Sequence, residues 1–187
     1  MRKDPGIKDW RAERMSDRAF RAMVVIFRVI DLLFPYVGVR SRGFGIQPGM
    51  TVVDYGCGPG RYTKRFAKLV GPNGTVYAVD IHELAIAAVE RMAAKKGFRN
   101  VIPLLAKGYD SGLPDAVADR VCAIDMIFGI QDPEAFLAEL RRITKSDGML
   151  IVDSGHERRG VTKKKVVTSG HWTIARSTLD HLECRPV

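Results

Sequence analysis

The chain has 187 residues, of which 46% are hydrophobic and 27% are charged, and its formal net charge is +9. This length and composition predict one domain with a full hydrophobic core and argue against two large domains. The three cysteines are widely separated and form no CxxC pair, which favours reduced thiols and a cytoplasmic compartment. The charged first residues do not lead into the apolar region of a signal peptide.

Residues 1–47 are predicted to form a helical N-terminal extension, with a helix over residues 10–33. One face of this helix carries apolar side chains at helical spacing: Phe20, Met23, Val24, Phe27 and Ile30. The apolar run 22–37 is short and is interrupted by Arg28 and Asp31, which argues against a transmembrane helix. Three roles stay open for the extension: a lid over a ligand site, a seam in a homodimer, and a contact with a membrane surface.

The most informative motif is TVVDYGCGPG at residues 51–60. An apolar strand ends in Asp54 and runs into Gly56, Gly58 and Gly60, and a helix is predicted directly after them. Glycines permit positive φ angles and let a ligand approach the backbone, although a purely structural turn also uses them. The GxGxG spacing departs from the GxGxxG of dinucleotide folds, and the strand-end acid favours a cationic or zwitterionic ligand.

The next predicted strand, residues 75–80, also ends in an acid. Asp80 follows Gly60 by 20 residues, near the spacing at which an acid binds ribose hydroxyls in nucleotide-binding βαβ units. Two carboxylates at neighbouring strand ends therefore predict a ligand with a ribose and a charged tail.

The rest of the chain continues an alternating pattern of strands and helices. Strands are predicted at residues 101–105, 120–125 and 149–153, helices at 61–70, 83–96, 134–144 and 161–168, and a hairpin at 172–177 and 181–185. Continuous apolar strands of this kind indicate a parallel sheet that is covered on both faces.

From about residue 45 onward, the chain resembles the class I S-adenosylmethionine-dependent methyltransferases. The resemblance rests on VVDYGCGPG, on the acid that ends the second strand and on ELRRITKSDGMLIV at residues 139–152, which matches the family's helix, turn and fifth strand. It implies an α/β fold with a Rossmann-like, seven-stranded, mostly parallel sheet, a closing antiparallel hairpin and helices on both faces. The third strand then lies at the sheet edge, where Pro103 is tolerated although it lacks a backbone N–H.

The resemblance also implies S-adenosylmethionine as cofactor and S-adenosylhomocysteine as product. The implied cofactor-binding residues are Asp54, Tyr55, Gly56, Gly58, Gly60, Asp80, Ile81, Lys107, Gly108, Asp125 and Met126. Asp54 would orient the ammonium group directly or through water, Asp80 would bind the ribose, and Ile81 would pack on the adenine. Asp125 and Met126 would border the methionine and the transferred methyl group.

Lys107 is a departure from the family, which often has an acid there that accepts from the adenine amino group. Either Asp110 or a backbone group then makes that contact, or the adenine pocket differs from that of the family. Lys107 itself also fits a residue of a solvent-facing loop. The best-placed catalytic base is His156, because ligands of such sheets bind beyond the carboxyl ends of the strands; an ordinary loop histidine is the alternative. His82 is a candidate cap of the next helix. The four histidines show no metal-ligand spacing.

The sequence predicts a methyltransferase acting on a small-molecule or lipid-like acceptor, similar in pattern to the ubiquinone and menaquinone biosynthesis methyltransferases. A nucleic-acid acceptor is disfavoured, because aromatic and basic residues do not alternate as in a base-stacking platform. The fourth strand also lacks the Asn/Asp-Pro-Pro-aromatic tetrad of many nucleic-acid amino methyltransferases. Two alternatives remain: an NAD(P)-binding oxidoreductase of related topology, and a cofactor-binding module without catalysis.

The lid interpretation divides the chain into an extension, residues 1–47, and a methyltransferase domain, residues 48–187. Only residues 154–170 lie between the fifth strand and the hairpin, which leaves little chain for a separate substrate domain. We therefore expect four aromatic side chains of the extension to line an apolar acceptor pocket. They are Phe20, Phe27, Phe34 and Tyr36.

Overall fold

A computed structural model describes residues 13–34 and 36–187. The helices are α1 (Asp17–Leu33), α2 (Tyr36–Arg40), α3 (Arg61–Val70), α4 (Glu83–Lys96), α5 (Pro133–Ile143) and α6 (Arg159–Thr168). The strands are β1 (Thr51–Tyr55), β2 (Thr75–Asp80), β3 (Val101–Leu105), β4 (Ala118–Ala123), β5 (Thr144–Val152), β6 (Trp172–Ser177) and β7 (Leu182–Pro186).

The seven strands form one sheet in the order β3-β2-β1-β4-β5-β7-β6. The neighbours from β3 to β5 are parallel, whereas β7 is antiparallel to both β5 and β6. The predicted sheet with its closing hairpin is thereby confirmed, and β3 lies at the edge, where the missing N–H of Pro103 is tolerated. The hairpin also distinguishes this order from the 3-2-1-4-5-6 order of dinucleotide-binding folds.

Two apolar layers cover the sheet because successive strand residues point to opposite faces. Val53 belongs to the layer that contains Phe136 and Leu140 of α5, while Val52 belongs to the layer that contains Phe66 of α3 and Val89 of α4. Both valines are fully buried, as expected for a parallel sheet between two sets of helices.

Several predicted boundaries were wrong. β4 ends at Ala123 rather than at residue 125, because Asp125 has a φ of 58°, outside the β region. β5 begins at Thr144, directly after α5, rather than at residue 149; Thr144 pairs with Ala118, and a register shift follows before Arg120 pairs with Met149. α6 begins two residues earlier than predicted, at Arg159.

The predicted N-terminal helix begins later than expected, at Asp17, where the Ser16 side chain caps it by accepting a hydrogen bond from the Ala19 amide. Residues 10–12 of the prediction lie outside the described residues. Within the described parts of the chain, no single helix is long and apolar enough to cross a bilayer. The bent pair Asp17–Leu33 and Tyr36–Phe44 meets the criteria together, on length and composition alone.

Candidate cofactor and acceptor site

Two glycines of the loop after β1, Gly56 and Gly58, lie in different surroundings. The φ angles of Gly56 and Gly58 are 75° and 50°, and the Gly56 amide donates to the Val79 carbonyl at 2.8 Å. A Cβ on Gly56 would lie 2.6 Å from Sδ of Met126, whereas a Cβ on Gly58 would meet no atom within 4 Å. Gly56 is therefore favoured by its positive φ and by the close approach of the Met126 side chain, while Gly58 borders open space in which a ligand can approach the backbone.

The Asp80 carboxylate is fixed by the backbone on both of its oxygens. Oδ2 accepts from the Gly58 amide and Oδ1 from the His82 amide, each at 2.9 Å. Burial raises the pKa of Asp80, and these hydrogen bonds act against that rise. Each carboxylate oxygen can accept a second bond, so Asp80 remains able to bind ligand hydroxyls.

The Asp54 side chain does not line the cavity beside the loop. It is buried and accepts a hydrogen bond from the Thr63 hydroxyl of α3. Burial raises the pKa of Asp54 to about 7, and the bond from Thr63 opposes the rise. Asp54 thus ties the end of β1 to the helix behind the loop.

A cavity of about 310 Å³ lies at the carboxyl ends of the strands, beneath α1. The predicted site residues that line it are Tyr55, Gly56, Gly58, Asp80, Ile81, Gly108, Asp125 and Met126. Its wall also includes residues that we did not predict as ligand contacts, among them Tyr62, His82, Tyr109, Phe128 and Phe136. The two strand ends, the glycine loop and an apolar wall therefore meet in one space.

Three other predicted site residues lie outside this cavity. Gly60 is the N-cap residue of α3, and a Cβ there would contact Val89 and Met92 at 3.2 Å. Lys107 is exposed and exchanges backbone hydrogen bonds with Asp110. His156 is exposed and packs edge-to-face on the ring of Phe128, with the ring centroids 4.9 Å apart.

The expected lid aromatics divide into two pairs. Phe20 and Phe27 line the cavity, whereas Phe34 and Tyr36 are exposed and do not, so that part of the prediction was wrong. The physical reason is the end of α1 at Leu33: the chain bends before α2 and carries the later aromatics away from the cavity.

Side-chain contacts hold the start of α1 over the cavity. The Tyr109 hydroxyl donates to the Glu13 carboxylate and accepts from the Asp132 amide at 3.1 Å. Arg14 donates to Glu83 at 3.0 Å, at the start of α4. These contacts close the polar end of the cavity.

The other end of α1 rests on Arg61 of α3. Asp31 accepts two hydrogen bonds from the Arg61 guanidinium, at 2.6 and 2.9 Å. The guanidinium also stacks on Phe27, 4.1 Å from the ring centroid. Arg61 therefore joins the core helix to the inner face of α1.

Arg40 joins the N-terminal segment to the sheet. Its buried guanidinium forms an ion pair with Asp153, which follows β5, and lies 3.6 Å from Asp125. Asp153 in turn accepts from the Asp125 amide at 2.8 Å, and Arg40 also donates to the Tyr62 hydroxyl at 3.2 Å. This network supports Asp125 in its left-handed conformation at the cavity edge.

Sequence reasoning missed Glu13, Tyr109 and His82 as parts of the cavity wall. The departure at Lys107 was the available signal for Tyr109, since it indicated that the loop after β3 contributes a different side chain. The helix-cap prediction for His82 is confirmed, because Nδ1 accepts from the Leu84 amide at 3.2 Å. No local pattern indicates that Glu13 reaches a residue 96 positions later.

These residues fit S-adenosylmethionine. The Gly58 backbone faces open space and the Asp80 carboxylate can accept from a ribose, while Ile81 supplies an apolar surface beside it. The buried Nε2 of His82, in the cavity wall, has no hydrogen-bond partner among the described residues. The Asp17 carboxylate lies 3.8 Å from this nitrogen, beyond hydrogen-bond distance but close enough for an ion pair with a protonated ring.

The comparisons with known proteins agree with this site. The "Methyltransferase domain" family model matches residues 46–176. The ubiquinone/menaquinone biosynthesis C-methyltransferase UbiE of Burkholderia cenocepacia (strain HI2424) is 35% identical over 108 residues, 57% of this chain and 44% of the relative. Nocamycin O-methyltransferase of Saccharothrix syringae is 32% identical over 123 residues, 66% of this chain and 40% of the relative.

A solved structure of similar extent is the SAM-dependent methyltransferase of Aquifex aeolicus, with a TM-score of 0.74, 25% identity and coverage of 81% of this chain and 89% of that one. By contrast, the matches span less than half the length of the two curated relatives. Neither the family model nor these proteins support the oxidoreductase alternative. The chain belongs to the class I S-adenosylmethionine-dependent methyltransferases.

Proposed function

We propose that this chain transfers the methyl group of S-adenosylmethionine to a small apolar acceptor. The observation that carries the proposal is one cavity whose wall combines the polar groups of Asp80 and the loop at Gly58 with apolar side chains, among them Phe27, Phe128 and Phe136. When bound, the cofactor supplies a methyl group activated by a sulfonium. The protein then contributes chiefly orientation, which can lower a barrier by about 7 to 11 kcal/mol.

The cavity supports specific roles for the core residues. Asp80 binds the ribose hydroxyls, Ile81 packs on the adenine, and the backbone at Gly108 contacts the adenine edge in place of Lys107. Gly58 lies against the methionine part. Asp54 acts through the loop that it anchors, because its carboxylate points to Thr63 rather than into the cavity.

The acceptor side is apolar, which favours an acceptor of the kind used in ubiquinone and menaquinone biosynthesis, the process in the name of one relative. Another relative is an O-methyltransferase, so the accepting atom is a carbon or an oxygen. His156 is outside the wall formed by Phe128 and would reach an acceptor only after rearrangement.

Residues 1–47 act as a lid on the methyltransferase domain at residues 48–187. Phe27 covers the acceptor, whereas Phe20 packs on His82 beside Asp80, with the ring centroids 4.5 Å apart. Cofactor exchange then requires the contacts of α1 with the core to open. Removal of residues 1–34, which retains Arg40 and its ion pair with Asp153, should leave cofactor binding and abolish transfer to the acceptor. If the inner face of α1 covers the cavity, its outer face is free to contact a second copy in a homodimer or a membrane surface.

Calorimetric titration with S-adenosylmethionine and S-adenosylhomocysteine, with NADH as control, tests the cofactor. Transfer from S-adenosylmethionine with an isotopically labelled methyl group to alkylated hydroquinones and phenols tests the acceptor class. We expect binding of both sulfur ligands and labelled products from the apolar acceptors. Binding of NADH alone, or labelling of charged acceptors in preference to apolar ones, would refute the proposal.

A further inference from the structure

The second half of α1 exposes apolar side chains on its outward face, interrupted by the exposed Arg28, and no described residue covers them. Its exposed side chains are Val25, Ile26, Val29, Leu32 and Leu33, and Phe34 and Val39 extend the patch beyond the helix. We call these residues the α1 patch; Leu32, at 85% exposed, is its most accessible member on the helix. A helix that is apolar on both faces is normally covered on both, and large exposed apolar patches mark interaction surfaces.

A cationic helix face lies beside the α1 patch. Arg61, Lys64, Arg65 and Lys68 of α3 follow the spacing i, i+3, i+4 and i+7, which places them on one side of the helix. The opposite side of α3, including Phe66, is buried in the core. α3 is therefore an amphipathic helix whose polar side is entirely basic.

These cations line a groove of about 230 Å³ between α3 and the turn from α1 to α2. The other wall contains Asp31, Phe34, Val37 and Gly38, so one member of the α1 patch borders the groove directly. We call this space the α3 groove.

The α3 groove carries excess positive charge. Asp31 is its one acidic lining residue, and it is paired with Arg61 at 2.6 Å. Lys64 and Lys68 are exposed and form no ion pair with a residue of the described chain. An anion in the groove would therefore meet two unpaired ammonium groups.

We propose that the α3 groove binds the phosphate of an anionic phospholipid while the α1 patch enters the lipid surface. This partner complements both features: the lipid phosphates match the cations, and the acyl region covers the apolar side chains. A second copy in a two-fold dimer would bring the same cations together, and a nucleic acid would leave the apolar patch in water. An anionic membrane surface is therefore the occupant of this face.

Membrane docking goes beyond methyl transfer, because cofactor binding does not require it. Docking would nevertheless bring the lipid surface close to the cavity, because Arg61 lines both the cavity and the α3 groove. An apolar acceptor dissolved in the lipid would then enter close to α1.

Vesicle flotation of the full chain tests the proposal. We expect binding to vesicles of phosphatidylcholine and phosphatidylglycerol in equal amounts, much weaker binding to phosphatidylcholine alone, and a decrease as salt rises. Lys64→Glu/Lys68→Glu should weaken binding by at least about tenfold, since each basic residue near an anionic surface contributes ~1 kcal/mol. Lys163→Glu/Lys164→Glu makes the same charge change on α6, across the sheet, and should alter binding less than about threefold.

The apolar contribution has its own pair of variants. Leu32→Ser/Leu33→Ser should also weaken binding at least about tenfold, because burial of each leucine contributes roughly 1.5 to 3 kcal/mol. Leu105→Ser/Leu179→Ser is the matched control: both leucines are exposed, at 50% and 97%, and both lie outside the α1 patch. Circular dichroism of all four variants checks that each remains folded.

The proposal is wrong if the unaltered protein does not bind the anionic vesicles, or if each control variant loses as much binding as its partner. Saturation of the α3 groove by soluble glycerol phosphate without vesicle binding would identify a free phosphate ligand instead. A dimer in sedimentation that Leu32→Ser/Leu33→Ser dissociates would show that a second copy covers the patch. Titration of the same variants with S-adenosylmethionine in the absence of vesicles separates a failure of docking from a failure of the proposed cofactor site, because cofactor binding does not require vesicles.

Discussion

Two sides of the cavity are held in different ways: the cofactor side at Asp80 and the glycine loop, which we call the floor, and helix α1 above it, which we call the roof. Backbone hydrogen bonds hold the floor: both Asp80 oxygens accept from amides, and the Gly56 amide bonds to β2. The roof, α1, is held by side chains, through Glu13 at one end and Asp31 at the other. Exposed ion pairs stabilise little, typically about 0 to 1 kcal/mol. This difference is what the proposed lid requires: a cofactor site held by its own backbone, and a cover whose side-chain contacts can open.

The joint between roof and floor offers the largest expected effect. Arg40→Met leaves the Asp153 carboxylate buried without its cation, which should lower the free energy of unfolding by about 3 to 5 kcal/mol. Urea denaturation measures the loss. Arg65→Met is the control, because Arg65 is only partly buried and makes one long hydrogen bond, to Ser41 at 3.4 Å. Equal losses in the two variants would show that the Arg40 network is not a main stabilising joint.

A change in the floor should affect the cofactor and spare the roof. Asp80→Ala removes the acceptor for ribose hydroxyls and for the Gly58 amide, so S-adenosylmethionine should bind about 1 to 3 kcal/mol more weakly. Calorimetry measures the affinity, with the exposed Asp147→Ala as control. Hydrogen exchange in α1 should not change. Unaltered affinity would remove Asp80 from the cofactor site.

A change in the roof should alter hydrogen exchange in α1 and leave cofactor affinity nearly unchanged. Tyr109→Phe removes the hydroxyl that links Glu13 to the Asp132 amide, a loss of about 0.5 to 1.5 kcal/mol. Amides at the start of α1 should then exchange faster, while cofactor affinity changes little. The control is Tyr77→Phe, whose hydroxyl makes no hydrogen bond to a described residue. Unchanged exchange in α1 would show that this contact does not close the roof.

The last expected effect is a dependence of stability on pH that arises from the cofactor side of the cavity. Burial raises the pKa of Asp54 to about 7, so the folded chain retains a proton that the unfolded chain releases near ~4. Asp54 therefore lowers stability progressively as the pH rises through this window. Asp54→Asn cannot titrate and can still accept from Thr63, so its free energy of unfolding should fall less between about pH 5 and 7. Parallel pH profiles of the two proteins would contradict this assignment.

The floor could be predicted from sequence because its signals are local. Alternating glycines and strand-end acids report directly on backbone conformation, and Gly56 and Asp80 lie where the pattern placed them. The direction of the Asp54 side chain could not be predicted, because it depends on a hydrogen bond from the Thr63 hydroxyl, which lies on α3 beyond the glycine loop. Phe34 was misplaced since the bend after α1 is a tertiary feature. The contact of Glu13 with Tyr109 joins distant segments and leaves no periodic signal.

Arg61 has a thermodynamic consequence for the proposed membrane docking. Its one guanidinium lines both the cavity and the α3 groove, so an occupant of either space can change the environment of the other. Any such coupling between two equilibria must be reciprocal. If anionic vesicles tighten S-adenosylmethionine binding by some factor, S-adenosylmethionine must tighten vesicle binding by that same factor. Docking at a lipid surface and binding of the cofactor would then each change the affinity of the other by the same coupling free energy.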